Sequence, residues 1–321
     1  MQKHKKVMIV GGAGYIGTRL CMDLAHEYDV FSWDMCKFSD TAVQNIRSDY
    51  ANITRQDIQD FDAIVLLAGH SSVRMCDGNP YGVMKNNVFN FTNLLNCILP
   101  EQTFIYASSA SVYGNFTQDT ATEDTPFESA YNMYDMTKQT IDSYVKTSGK
   151  LNSRVYGLRF GTVNGFSPIL RDDVMLNAMT NSAWSSGHVN LYSPKTRRSI
   201  LAISDLTRGI KAILRSNREF GGIYNMASFT STSGEMASAV SDVFGVPVNL
   251  VSPADGSVVK GNEKLVSSKY DFSLNCEKFC RDFDFSFEGS VSSILVELTE
   301  HRGAMIHTNR NTPFDYERSA S

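Results

Sequence analysis

What the chain lacks narrows its class before any motif is read. Lysine and arginine form no long run, and 30 basic residues against 34 acidic ones give a net charge of −4. The electrostatic footprint of a nucleic-acid binder is therefore missing. The six cysteines, Cys21, Cys36, Cys76, Cys97, Cys276 and Cys280, contain no C-x-x-C pair and no paired zinc spacing. They read as reduced thiols, and no metal is expected, although Cys276 and Cys280 share a helical spacing. No apolar run suits a membrane span or a signal-peptide core, since Val7–Val10 leads straight into glycines. A soluble, cytoplasmic protein with no membrane partner is the expectation. There is no internal repeat or low-complexity stretch. What is present is 321 residues, 42% hydrophobic and 20% charged, enough for a large α/β domain and a smaller satellite.

The first 165 residues alternate short apolar runs with helical patterns, which predicts βαβ units and a parallel sheet. Strands are expected at Val7–Val10, Val30–Trp33, Ala63–Ala68, Thr103–Ala107 and Val155–Phe160. Ala63–Ala68 is apolar throughout, as for a strand covered on both faces. Helices are expected at Tyr15–His26, Val83–Cys97 and Tyr134–Thr147. Beyond Gly165 the alternation breaks down, and residues 166–302 read as a smaller, mostly helical region that returns to the main domain near 196–214. Residues 303–321 read as a polar, frayed tail.

Three signals carry chemistry. Gly11-Gly12-Ala13-Gly14-Tyr15-Ile16-Gly17 follows a strand and opens a helix. Gly11 suits the tight turn, Gly14 lets backbone approach a pyrophosphate, and Gly17 allows close helix–strand packing, with the phosphates at the helix N-terminus. Asp34 closes the next strand, about 20 residues on, where a carboxylate accepts the ribose hydroxyls of NAD and repels the extra phosphate of NADP. Lys37 nearby leaves NADP open. Tyr134 and Lys138 stand at i and i+4 on one helical face, where an ammonium would lower the phenol toward use as a general base. Upstream lies Ser108-Ser109-Ala110-Ser111-Val112-Tyr113-Gly114, with hydroxyls at a strand end able to hold a reacting oxygen against that tyrosine.

These motifs, with Leu67-Ala68-Gly69 and Asn87-Val88, resemble the extended short-chain dehydrogenase/reductase family in their order and spacing, and within it the NAD-dependent sugar-nucleotide epimerase/dehydratase branch. The resemblance implies a Rossmann-type doubly wound parallel sheet, residues 1–165 binding NAD and 166–302 the substrate. It makes Ser109, Tyr134 and Lys138 the catalytic trio, with Ser111 a second hydroxyl contact. The cofactor would meet Gly11, Gly14, Tyr15, Ile16, Gly17, Asp34, Leu67, Ala68, Gly69, Asn87, Tyr134, Lys138 and Phe160. Asp49 and Tyr50 match the pair beside the adenine, with Asp57-Ile58 a rival. The substrate would meet Thr162, Asn177, Asn190, Tyr192 and Arg198, which stands seven residues before Asp205; Arg197 is the alternative to Arg198. A guanidinium there suits a diphosphate. Lys269 stands where the family usually has an arginine before a tyrosine. The resemblance also implies a homodimer, and the stripe Val88, Phe89, Phe91, Leu94, Leu95, Ile98 serves either that interface or the core.

Dehydratases of the family carry an acid pair beside the serine or threonine; here Ala110 and Ser111 hold those positions. That favours hydride chemistry at one carbon: an epimerase acting at C4 of a UDP- or dTDP-hexose through a transient 4-keto sugar. A reductase of a 4-keto nucleotide sugar is the alternative. A non-catalytic nucleotide-sensing protein is the alternative of another class, disfavoured because both Tyr134 and Lys138 are retained.

Overall fold

A computed structural model describes residues 5–36, 43–114, 116, 120–252 and 270–308. Lys37 and Lys269, singled out above, lie outside the described residues. Among the described residues a seven-stranded sheet forms the centre. Its strands, labelled in chain order, are β1 (Lys6–Val10), β2 (Asp29–Asp34), β3 (Gln44–Arg47), β4 (Ala63–Leu66), β5 (Thr103–Ser109), β6 (Val155–Phe160) and β7 (Gly222–Met226). All neighbours are parallel, in the order β3-β2-β1-β4-β5-β6-β7. The order reverses between β1 and β4, where Val10 lies opposite Leu66. In doubly wound sheets this switch point opens a crevice at the carboxyl ends of the strands.

Alternation along the strands builds two cores. Val7, Ile9, Val65, Ile105 and Leu158 face one layer, which includes Leu20 and Leu24 of helix α1 (Tyr15–Leu24) and Ile210 of the helix Ile203–Arg215. Met8, Val10, Ile64, Leu66, Phe104 and Tyr106 face the other, with Val88, Phe91, Leu94, Leu95 and Ile141. The stripe left open between core and interface therefore goes mainly to the core, and Phe89 alone of it is exposed, at 54%. The helix expected to start at Val83 begins instead at Pro80, with Asn79 Oδ1 accepting from Gly82 N. Proline at the first helical position has no donor to lose, so it starts the helix rather than preceding it. A π turn, Lys85–Phe89, then links Pro80–Met84 to Asn90–Cys97.

Beyond β6, Gly161 lets the chain turn away: a Cβ there would sit 2.6 Å from the Ser199 carbonyl oxygen. Thr162–Asn164, Arg197–Ala202 and Phe229–Thr232 form a separate three-stranded sheet. The later region thus holds short strands as well as helices, and the chain returns to the central sheet as late as β7. Ile306–Thr308 pairs in parallel with Ile169–Arg171, so this part of the stretch expected to fray is held. Its backbone donates and accepts through Ile306 N to Pro168 O (2.7 Å) and Asp172 N to Thr308 O (2.9 Å). Among the described residues no helix is long and apolar enough to cross a membrane. None of the six cysteines, all among the described residues, is joined in a disulfide.

A buried ion pair ties the sheet to the helix Met133–Thr147, here α2. Arg159 on β6 and Asp142 on α2 are both fully buried, and Nε donates to Oδ2 at 2.8 Å. Tyr106 on β5 donates to Asp142 Oδ1 (3.1 Å), and Arg159 Nη1 donates to the Tyr113 hydroxyl (2.6 Å). Tyr113 in turn donates to Asn225 on β7 (2.6 Å). Removing one partner of such a pair strands the other charge in a low dielectric. Asp142→Ala is therefore expected to cost about 3–5 kcal/mol in urea unfolding; a cost below about 1 kcal/mol, the range of an exposed pair, would rule this network out as the anchor.

Candidate active site

The crevice at the switch point is a cavity of about 760 Å³, within the size range of small-molecule sites. At one end lies the glycine turn. Gly11 has φ +92°, and a Cβ there would stand 2.6 Å from Ala68 N. A Cβ on Gly17 would stand 2.0 Å from the Gly11 carbonyl oxygen, so these positions exclude any side chain. Gly14 is the N-cap of α1, and no side-chain cap bond is made there. The first-turn amides stay open to an anion, as a pyrophosphate cradle requires. Asp34 ends β2 beside this turn, its carboxylate accepting from Ala13 N (3.0 Å) and Cys36 N (2.9 Å). Asp49 and Tyr50 line the cavity next to it. Asp57 instead closes a capping box with Thr54, and Ile58 is fully buried, so that rival pair points away. The open amides, the side-chain-free turn and the strand-end carboxylate fit a dinucleotide.

At the other end Ser109 closes β5 and caps the 3₁₀ turn Ala110–Tyr113. Its Oγ lies 2.9 Å from Ser111 Oγ. Tyr134 and Lys138 come from α2, started by Asn132, whose Oδ1 accepts from Asp135 N (3.0 Å). Lys138 Nζ lies 5.7 Å from the Tyr134 ring centroid and donates to Ala107 O (2.8 Å). Desolvation pulls Lys138 down to about 8. Burial raises the Tyr134 phenol, against the lowering by the Ser109 hydrogen bond and the Arg171 charge. Read from sequence, the lysine lowers the tyrosine; in the chain alone, desolvation of the phenolate dominates, and the opposing pull comes from Ser109 and Arg171.

The remaining expected residues separate. Tyr15, Ile16, Leu67, Ala68, Gly69, Ser111, Phe160, Thr162 and Arg198 line the cavity. Arg197 instead pairs with Asp271 at 2.9 Å, whereas burial makes Arg198 easier to deprotonate than an exposed guanidinium. Asn87 stands behind the wall, its amide accepting from His70 N (2.8 Å) and donating to His70 O (3.1 Å). Asn177 is 1% exposed; it accepts from Gly165 N and donates to the Tyr15 hydroxyl and Arg171 O. It holds the loop rather than facing the cavity. Asn190 is the outward residue of Val189–Leu191, whose neighbours point inward, and Tyr192 is 48% exposed; neither lines the cavity. Strand alternation sends Asn190 to solvent. Among the cavity-lining residues not picked from sequence are His70, Arg171 and Tyr270. Arg171 is held bidentate by Asp173 (2.9 and 2.6 Å), and no motif signals it, because the tertiary placement of the short strand Ile169–Arg171 brings it in.

A depressed lysine has a definite stability signature. Between about 8 and the unfolded value of about 10.4, the unfolded chain holds a proton that the folded chain does not. Stability contributed at Lys138 therefore rises with pH across that window. Lys138→Met in the cofactor-free protein is expected to flatten this rise in urea midpoints measured from pH 8 to about 10; an unchanged slope would show that Lys138 is not desolvated.

A family model described as the NAD dependent epimerase/dehydratase family matches residues 7–227. An ADP-L-glycero-D-manno-heptose-6-epimerase of Alkalilimnicola ehrlichii is 28% identical over 265 residues, covering 74% of this chain and 81% of that protein. The UDP-glucuronic acid 4-epimerase of Bacillus cereus, solved with UDP-glucuronic acid and NAD, superposes with a TM-score of 0.77 at 20% identity, over 92% of this chain and 98% of that one. TunA, an NAD-dependent NDP-hexosamine 5,6-dehydratase of tunicamycin biosynthesis, superposes equally, at 0.77 and 19% identity over 95% and 99%. The fold thus serves both reaction types.

Proposed function

Because the chain belongs to the NAD dependent epimerase/dehydratase family, we propose that it is an NAD-dependent epimerase acting at C4 of a nucleotide-activated sugar. The observation that carries this reading is the distribution of acids along the cavity. Among its described lining residues only Asp34 and Asp49 bear carboxylates, and both stand at the glycine-turn end. Beside Ser109 the wall offers Ala110 and Ser111, which supply no acid–base pair for removing water across a carbon–carbon bond.

When bound, NAD supplies a hydride acceptor that later returns the hydride, and a positive ring beside Tyr134. The open amides of α1 hold its pyrophosphate, Asp34 its ribose hydroxyls, Asp49 and Tyr50 its adenine side, and Phe160 the nicotinamide side. Tyr134 takes the proton of the sugar C4 hydroxyl as the hydride leaves, and gives it back after the 4-keto sugar has turned over. Ser109 holds the reacting oxygen, with Ser111 behind it. Lys138 fixes the tyrosine and adds positive charge. Arg198, drawn out of water and in the cavity wall, takes the diphosphate of a UDP- or dTDP-hexose. Thr162 adds a hydroxyl toward the sugar. A homodimer belongs to this reading, supported by the exposed Phe89 and Met136 (54% and 45%) on the helix Asn90–Cys97's preceding turn and on α2. The same trio with exchangeable cofactor would make a reductase of a 4-keto sugar, the second reading.

The test is direct. Protein denatured after purification is expected to release NAD in near-equal amount, and the native protein to interconvert a pair of 4-epimeric UDP- or dTDP-sugars. Release of no NAD, with turnover only of a 4-keto sugar and added NADPH, would establish the reductase instead. Tyr134→Phe is expected to lower kcat by about 10²–10⁴-fold with little change in retained NAD; near-normal turnover would remove Tyr134 from the reaction.

A further inference from the structure

The residue after the base is an acid, and it is buried. Asp135 is 1% exposed, in the first turn of α2 directly behind the cavity wall. Its Oδ2 accepts from the Tyr270 hydroxyl (2.7 Å) and from Asn132 Nδ2 (2.8 Å). Its Oδ1 has no hydrogen-bond partner among the described residues, and the Ser111 hydroxyl lies beside the carboxyl. A buried carboxyl with one idle oxygen is costly unless that oxygen is used. Ser111 and Tyr270 both line the cavity, and Ser111 Oγ is 2.9 Å from Ser109 Oγ. A line of hydroxyls therefore runs from Asp135 through Ser111 to Ser109 and on to Tyr134.

We propose that Asp135 is a positioning residue which, through Ser111, sets whether Ser109 offers its hydrogen or its lone pair to the reacting oxygen. The argument rests on the proposed hydride chemistry at C4 and on the one hydrogen that each hydroxyl owns. With Asp135 ionised, Ser111 donates to Oδ1, so Ser109 donates to Ser111 and presents a lone pair, matched to a sugar alcohol. With Oδ1 protonated, Asp135 donates to Ser111, Ser111 to Ser109, and Ser109 to the reacting oxygen, matched to a ketone or to the Tyr134 phenolate. An epimerase passes through alcohol, ketone and alcohol again, so both directions are needed. Oδ2 accepts from Tyr270 in either state, which leaves Oδ1 as the switching oxygen.

The surroundings suit a carboxyl that changes state. Burial pushes Asp135 upward, and only the neutral donors Tyr270, Ser111, Asn132 and the Tyr131 amide act against it. The titratable groups around Asp135 and Ser111 are the Tyr134 phenol and, beside its ring, Lys138, both from α2, Tyr270 from the segment after 269, Cys76 from the turn Arg74–Cys76, and Arg171, whose charge acts on Tyr134.

The experiment needs no sugar. In NAD-loaded protein, the near-ultraviolet phenolate band is titrated, and the same protein carrying Tyr134→Phe is subtracted to leave Tyr134 alone. Asp135→Asn is expected to lower the Tyr134 midpoint by about one pH unit, because the amide can donate toward Ser111. Ser111→Ala is expected to lower it as well, since Ser109 is then free to donate to the phenolate. The double variant is expected to shift it no further than the larger single change, as for residues acting in one network. A midpoint unmoved by Ser111→Ala overturns the proposal whatever Asp135→Asn does, because through-space charge alone needs no serine. Additive shifts overturn it too. Failure to epimerise any sugar leaves this titration intact, so the two readings fail separately.

Discussion

Three polar side chains on one face of α2, Tyr134, Lys138 and Asp142, point into the protein at successive helical turns, and the site depends on how the sheet receives them. Asp142 meets the Arg159 guanidinium, with both fully buried. Lys138 meets the carbonyl of Ala107, and Tyr134 meets Ser109. An inward polar stripe of this kind is unfavourable by default, because each group loses its hydration. It persists here because β5 and β6 supply a partner at every turn. The ion pair is the demanding member: neither charge tolerates burial without the other, so the helix has one register against the sheet. That register sets where the phenol and the ammonium stand.

The opposite end of the cavity is shaped by the absence of side chains. Gly11 and Gly17 bring backbone against backbone, and the open start of α1 faces the space that results. Tyr15 then links this turn to the substrate side. Its hydroxyl donates to Gly165 O (2.8 Å), and its carbonyl accepts from Ser167 Oγ (2.6 Å). Asn177 joins the same cluster, and Glu297 accepts from Arg19 and from Phe166 N. The loop Gly165–Ser167, which leads into the strand carrying Arg171, is thus clamped between α1 and the helix Val291–Glu300. The glycine turn and the loop after Asn164 are parts of one packed unit.

Between these ends the reacting region is rich in hydroxyls and cations and poor in exposed acids. Hydroxyls can donate or accept without changing charge, which suits the proposed reaction, whose substrate alternates between alcohol and ketone. A carboxylate in the wall would bias the site toward proton abstraction from carbon. Asp135 stands one layer back, buried, its carboxyl beside Ser111 and accepting from the Tyr270 hydroxyl, two residues that line the cavity.

Several features were legible in the chain because they depend on spacing along it. The glycines, Asp34 at the end of β2, and the i, i+4 pair Tyr134 and Lys138 are set by local geometry, and the alternation of apolar runs already implied the parallel sheet. Asn177, Asn190 and the choice between Arg197 and Arg198 were not legible, since a polar side chain in a loose motif has several possible partners. Packing gave Asn177 to Gly165 and Tyr15, strand alternation turned Asn190 outward, and Asp271 took Arg197. The strands β3 and β7 were missed because Gln44–Arg47 is too polar and Gly222–Met226 mixes a glycine and an asparagine into its apolar residues. By itself, then, the sequence determined the fold class and the local pieces of chemistry, whose residues lie within a turn or a strand of each other. Only the tertiary structure decided that Arg171 and Tyr270 come to Tyr134 and the buried Asp135, because contacts between segments far apart in the chain are made by packing and leave no periodic trace.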